Sequence, residues 1–192
     1  MSKRLILASA SPRRRQLLAQ LGLEFSVEPS NHSENLVENL APGPLAVSLA
    51  EQKAKAVARR HREGIIIGAD TIVAIGEKVL GKPANAEDAV KMLTRLSGRW
   101  HSVFTGLVLI EAETNRQLRG YEESRVKFKV LSEKEIKNYI KTGEVWDKAG
   151  AYAIQGMGAL FVEKIEGCYY NIVGLPLYKL STMLKEFGME IL

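Results

Sequence analysis

Apolar positions along this chain switch between unbroken or alternating runs and a spacing of three and four, the mixture expected of strands and helices packed in layers. Residues 5–8 form a short apolar run that predicts a buried strand. Ser11 then offers an N-cap oxygen, and Pro12 suits the first helical position, where its missing N–H costs no hydrogen bond. Leu17, Leu18 and Leu21 share one side of that helix, and Gly22 ends it. Phe25 and Val27 alternate with polar neighbours as a further strand, and residues 29–44 read as a polar loop broken by Pro and Gly. A helix follows over roughly 45–60, with Leu49, Ala50, Lys53, Ala54, Val57 and Ala58 at helical spacing.

Residues 65–75 read as two apolar strand pieces meeting at Gly68-Ala69-Asp70. Gly81-Lys82-Pro83 marks a turn, and residues 86–96 carry helical spacing in Ala89, Met92, Leu93 and Leu96. Strands are predicted at 104–110 and 126–130, and Ser132 with Glu135 forms a capping box for a helix reaching Ile140. Residues 147–159 hold too much glycine and alanine to be simple core. A strand over 160–162 and a last helix from Pro176, with Leu177, Leu180 and Leu184 on one side, complete the order. Strands and helices are interleaved without a repeat, so the predicted fold class is α/β, a mixed sheet with packed helices in a single domain over 1–192.

Composition narrows the functions. The chain has 192 residues, 46% of them apolar, enough for one sizeable core. A formal charge of +5 favours anionic partners without choosing among nucleotides, nucleic acid and lipid headgroups. Cys168 is the lone cysteine, which excludes an internal disulfide and points to a reducing compartment. The apolar run after Lys3 and Arg4 is far too short for a signal peptide, and no apolar stretch approaches the roughly 20 residues needed to span a bilayer. A cytoplasmic location is expected.

Several side chains are candidates for chemistry. Asp70, between apolar segments, costs desolvation free energy unless it is solvated, paired or bound to a cation. It is suited to ligating magnesium or taking a proton from water, and a strand-end aspartate bonded to backbone is the competing interpretation. Glu34, in the polar loop, reads by itself as a surface carboxylate and would help hold a cation only if brought beside Asp70. Ser9, Arg13 and Arg14 surround a strand-to-helix junction, where backbone N–H groups attract anions and guanidinium forks match phosphate oxygens. Lys53 and Lys82 are further phosphate candidates. Gln155 offers both a donor and an acceptor for a nucleobase edge. Tyr152 is expected to pack, and Trp100 and Trp146 either stack on bases or serve structure. A P-loop, a dinucleotide fingerprint, a zinc motif built from His32, His61 and His101, and a serine elbow are all absent.

The combination of LASASPRRRQLL, GADTIV, GKP, LSG, DKAGAYAIQG and NIVGLPL, in this order over essentially the whole chain, resembles the Maf-like nucleotide pyrophosphatases. The resemblance implies an elongated mixed α/β fold with two lobes around a cleft, related to the inosine triphosphate pyrophosphatases. It also implies hydrolysis of nucleoside triphosphates to monophosphate and pyrophosphate, magnesium or manganese as cofactor, and a homodimer. Asp70 matches the family's proton acceptor, and Glu34, Lys53 and Lys82 match groups that handle metal or phosphate. Ser33 precedes Glu34 where an aspartate is frequent. Arg13, Thr71 and Gln155 match the substrate-selecting positions of the branch acting on dTTP and UTP, rather than the branch acting on 7-methyl-GTP. Trp100 stands where the family often has threonine. A nucleic-acid-binding or septum-inhibiting protein without turnover is the alternative from another class, although no nucleic-acid module is recognisable. No membrane partner and no stable nucleic-acid partner are expected.

Overall fold

The computed structural model describes residues 3–30 and 40–192. Seven strands form one mixed sheet in the order β2-β1-β3-β5-β6-β7, with β4 paired to β3 beside that path. The first unit runs β1 (Leu5–Leu7), α1 (Pro12–Ala19), β2 (Phe25–Val27), α2 (Pro42–Ala58) and β3 (Ile65–Ile75). In it, β1 lies between β2 and β3 and is parallel to both. Next come β4 (Lys78–Leu80), α3 (Ala86–Leu96), β5 (Trp100–Glu111) and β6 (Gln117–Phe128), whose strands join the sheet antiparallel. The chain ends with α4 (Glu133–Lys141), two short 3₁₀ turns, β7 (Val162–Glu166), α5 (Tyr169–Val173) and α6 (Leu177–Glu186).

The cues at element ends act as their chemistry predicts. Ser11 caps α1, accepting from the Arg14 N–H with Pro12 behind it. Ser132 and Glu135 complete a reciprocal capping box on α4. Where the structure departs from the sequence pattern, non-local pairing is the reason. Residues 65–75 are one continuous strand rather than two pieces, because β5 pairs with it from Ile65 through Ala74. Asp70 is therefore a mid-strand residue, not a strand end. β6 starts at Gln117, well before Val126, since β5 supplies its hydrogen bonds although one side of it is polar and exposed. Val130 lies beyond β6 and is largely exposed, and the strand expected at 160–162 begins only at Val162.

The two faces of the sheet are covered unequally. On one, α2 is the only described helix, its Ala46, Ala50, Ala54 and Val57 against Ile6, Ile66, Ile72, Val108 and Ile110. The helix sits so close that a Cβ on Gly68 would be 2.4 Å from the Ala50 carbonyl oxygen, and one on Gly106 would be 2.2 Å from that of Ala46. Glycine is required at both by this approach. On the other face, apolar residues of α1, α3, α4, α5 and α6 close over Leu5, Leu7, Ile65, Ile67, Leu107 and Leu109 in the larger core. No described helix is long and apolar enough to cross a membrane.

Candidate active site

β3 organises the site. One of its edges is paired with β5 from residue 65 to 74. The opposite edge is covered in two pieces, by β1 at residues 65–67 and by β4 at residues 73–75. Among the described residues, 68–72 thus have no strand partner on this edge, and Asp70 and Thr71 sit in the gap between the carboxyl end of β1 and that of β4. Open α/β sheets bind ligands at the carboxyl ends of parallel strands, and this gap adjoins the carboxyl end of β1.

Successive strand residues point to opposite faces, so Asp70 and Thr71 project to different sides of the sheet. Asp70 shares its face with α2, and its Oδ1 accepts from the Lys53 ammonium in an ion pair. The two side chains retain 13% and 16% exposure. No described group hydrogen-bonds Asp70 Oδ2. Lys53 reaches Asp70 because α2 places it one residue before Ala54, which packs on Gly68.

Thr71 faces the larger core. Its Oγ1 lies 2.9 Å from Arg14 Nη2 and 2.9 Å from Thr105 Oγ1. Arg14 is itself buried, donating from Nε to the Gly174 carbonyl at 2.8 Å and from Nη1 to Ser9 Oγ at 3.2 Å. Thr105 donates to the Asn171 carbonyl at 2.9 Å, while the Asn171 amide donates to the Val103 carbonyl and to Ser124 Oγ. Gly174 adopts φ +122°, and a Cβ there would press on Thr71 Oγ1 at 3.3 Å. Ser9 follows β1, whose extension is held by the Ala8 N–H donating to Ile67.

Arg13, half-buried at the start of α1, lies near the segment carrying Tyr139 and Asp147, since its charge favours the ionised form of both. For Asp147 the hydrogen bond from Lys148 is the larger influence holding its carboxyl below the usual range. Burial pushes the Tyr139 phenol up to about 12, against that pull from Arg13. Tyr139 Oη accepts from the Ala153 N–H, and Glu144 Oε1 accepts from the Met157 N–H, each at 3.2 Å. These two bonds bracket Gln155, which is exposed between them. The Gly150 N–H donates to the Gly81 carbonyl at 3.0 Å, tying that same segment to the turn that presents exposed Lys82.

The structure thus draws Ser9, Arg14 and Thr71 into one hydrogen-bonded group, pairs Lys53 with Asp70, and links the segments bearing Arg13, Lys82 and Gln155. Glu34 lies outside the described residues. Thr105, Asn171 and Gly174 are site-supporting residues that sequence reasoning missed. The available signal was a polar Thr105 inside the apolar run of β5. Tyr152 is packing material, as expected: it is buried, with Oη 2.8 Å from His101 Nε2. Trp100 lies under Arg125, whose guanidinium is 4.8 Å from the ring centroid.

Residues 4–187 match the family model described as Maf-like protein. A dTTP/UTP pyrophosphatase of Desulforamulus reducens is 52% identical over 187 residues, covering 97% of this chain and 98% of that protein. Another dTTP/UTP pyrophosphatase, from Caldicellulosiruptor saccharolyticus, is 50% identical over 194 residues, covering 99% and 98%. Among solved structures, the Ham1 protein of Staphylococcus aureus superposes with a TM-score of 0.47 at 12% identity over 66% of this chain and 72% of that one, too distant to carry an argument. With a family model covering nearly its full length and relatives about half identical from end to end, the chain belongs to the Maf-like protein family.

Proposed function

We propose that this protein hydrolyses dTTP and UTP to the nucleoside monophosphate and pyrophosphate. The observation that supports the proposal is the gap in the edge of β3, with the Asp70–Lys53 pair on one face of the sheet and the Thr71 group on the other, in a chain whose relatives at 50% identity are dTTP/UTP pyrophosphatases. Water attacks the α-phosphorus as the bond to the α–β bridging oxygen breaks. Asp70 takes the proton of the attacking water, and the bridging oxygen departs with pyrophosphate. Lys53 orients the carboxylate through Oδ1, leaving Oδ2 toward the water. Ser9, Arg13 and Lys82, with the start of α1, hold the phosphates and offset the charge that builds on the leaving group. Gln155 pairs with the neutral edge of thymine or uracil.

Magnesium or manganese fits the oxygen donors of this site. Asp70 is a hard ligand, and a small cation of this kind is commonly held by one or two carboxylates with phosphate oxygens and waters making up the rest. Asp70 would hold the cation together with Glu34, and the cation would supply charge neutralisation at the phosphate oxygens. A cytoplasmic homodimer without a stable nucleic-acid or membrane partner belongs to the same proposal.

Pyrophosphate release from dTTP, UTP, CTP, GTP and 7-methyl-GTP at matched magnesium tests it. Release chiefly from dTTP and UTP supports the assignment. Preference for 7-methyl-GTP would overturn the base assignment, and no release from any of them, with manganese also tried, would overturn the reaction. Light scattering on the purified protein checks the dimer.

A further inference from the structure

The hydrogen-bond group around Arg14 has a definite direction. A carbonyl cannot donate, so the one hydroxyl hydrogen of Thr105 is committed to the Asn171 carbonyl, 2.9 Å away. In the Thr71–Thr105 contact the hydrogen must then come from Thr71, with Thr105 Oγ1 accepting at 2.9 Å. Thr71 also accepts from Arg14 Nη2. Its hydrogen is thereby spent inward, and one lone pair is left for a ligand. Ser9 has the opposite character. Its Oγ accepts from the Ser11 N–H and from Arg14 Nη1, each at 3.2 Å, which fills both lone pairs and leaves its hydrogen to give. The arrangement is rigid because Thr105 and Asn171 are fully buried and the Asn171 amide is itself anchored to Val103 and Ser124.

We infer that Arg14 and Thr105 are positioning residues that set the polarity of two hydroxyls, making Ser9 a donor for a phosphate oxygen and Thr71 an acceptor that selects the imide N3–H of uracil or thymine. This rests on the pyrimidine assignment made above. Cytosine carries an unprotonated N3, so it meets Thr71 lone pair to lone pair, whereas uracil and thymine present a hydrogen. Arg14, in this arrangement, serves the phosphates through Ser9 instead of contacting them.

The test is calorimetric binding of the α,β-imido analogues of UTP and CTP, which needs no turnover. The wild-type protein should favour the uridine analogue by about tenfold or more, the size of one misplaced hydrogen bond at a buried site. In Thr105→Val the Thr71 hydroxyl loses its acceptor and is freed to donate to cytosine N3. The preference should fall about fivefold to tenfold, and Thr105→Ser should restore it. An unchanged preference in a folded Thr105→Val protein overturns the inference, as does a wild-type protein that does not discriminate. If Thr105→Val does not fold, the wild-type protein with the N3-methylated uridine analogue carries the test: binding weaker by about tenfold supports the inference, and equal binding overturns it. Discrimination in binding without pyrophosphate release from UTP would break the proposed reaction while supporting the polarity. Pyrophosphate release with no discrimination would break the polarity alone.

Discussion

The two faces of β3 differ in how tightly they hold their functional side chain. On the α2 face, Asp70 makes one ion pair, keeps part of its surface open, and has an oxygen with no described hydrogen-bond partner. On the opposite face, Thr71 is locked between Arg14 and Thr105 above a core built from five helices. Neighbours in sequence thus have opposite degrees of freedom. A group that must take a proton needs an uncommitted oxygen, whereas a group that discriminates bases needs its hydrogen fixed before the ligand arrives. Removing residues on each face should therefore damage different quantities.

The largest effect is expected from Asp70→Asn, which keeps the shape of the side chain and removes its basicity. Pyrophosphate release should fall by about 10²–10⁴ with little change in thermal stability, the usual contribution of a positioned general base. Near-normal turnover would mean that the α2 face is not where the chemistry happens. Gly106→Ala attacks the same face through packing, since the new Cβ would meet the Ala46 carbonyl 2.2 Å away. About 3 kcal/mol of stability should be lost, read as a lower urea midpoint at unchanged slope. An unaffected midpoint would show that α2 can lift off the sheet without cost.

Lys53→Met should lower kcat/KM by about tenfold, or 1.4 kcal/mol, by leaving the Asp70 carboxylate unoriented, with a smaller change in melting temperature. Equal losses in stability and activity would instead make the pair a structural contact. The smallest expected effect lies on the Thr71 side of the sheet, in the larger core. His101 is buried against Phe128 and Tyr152, and burial lowers its pKa from 6.5 to about 4. The unfolded chain therefore binds this proton first as pH falls, so stability is intact above pH 6.5 and declines toward pH 4. The slope attributable to this site should be at most about 1.4 kcal/mol per pH unit. Melting temperatures at pH 7 and pH 5 should diverge less in His101→Gln than in the wild-type protein.

Much of the fold was legible locally. Ser11-Pro12, the Ser132–Glu135 box and the spacing of Ala89, Leu93 and Leu96 specify their helices through contacts within a turn or two, and the structure follows them. Two short elements were not legible. α5 is only five residues long, and β4, with two of its three residues exposed, lacks the apolar run that marked β1 at the same length. The extent of β6 was hidden because its exposed side is polar and its partner β5 alone makes it a strand.

The candidate site divides along the same line. The sequence by itself determined which side chains carry useful chemistry: a carboxylate in an apolar run, basic residues at a helix start, an amide in a glycine-rich turn. The joint order of six short motifs, from LASASPRRRQLL to NIVGLPL, was also enough to point to the family. Only the tertiary structure decided that Asp70 and Thr71 face apart, that Lys53 belongs to Asp70, that Arg14 turns inward to Gly174, and that Thr105 and Asn171 orient the Thr71 hydroxyl. Periodicity and capping are carried by neighbours in the chain. Edge coverage and the direction of a hydrogen bond depend on partners dozens of residues away, which meet only when the sheet has formed.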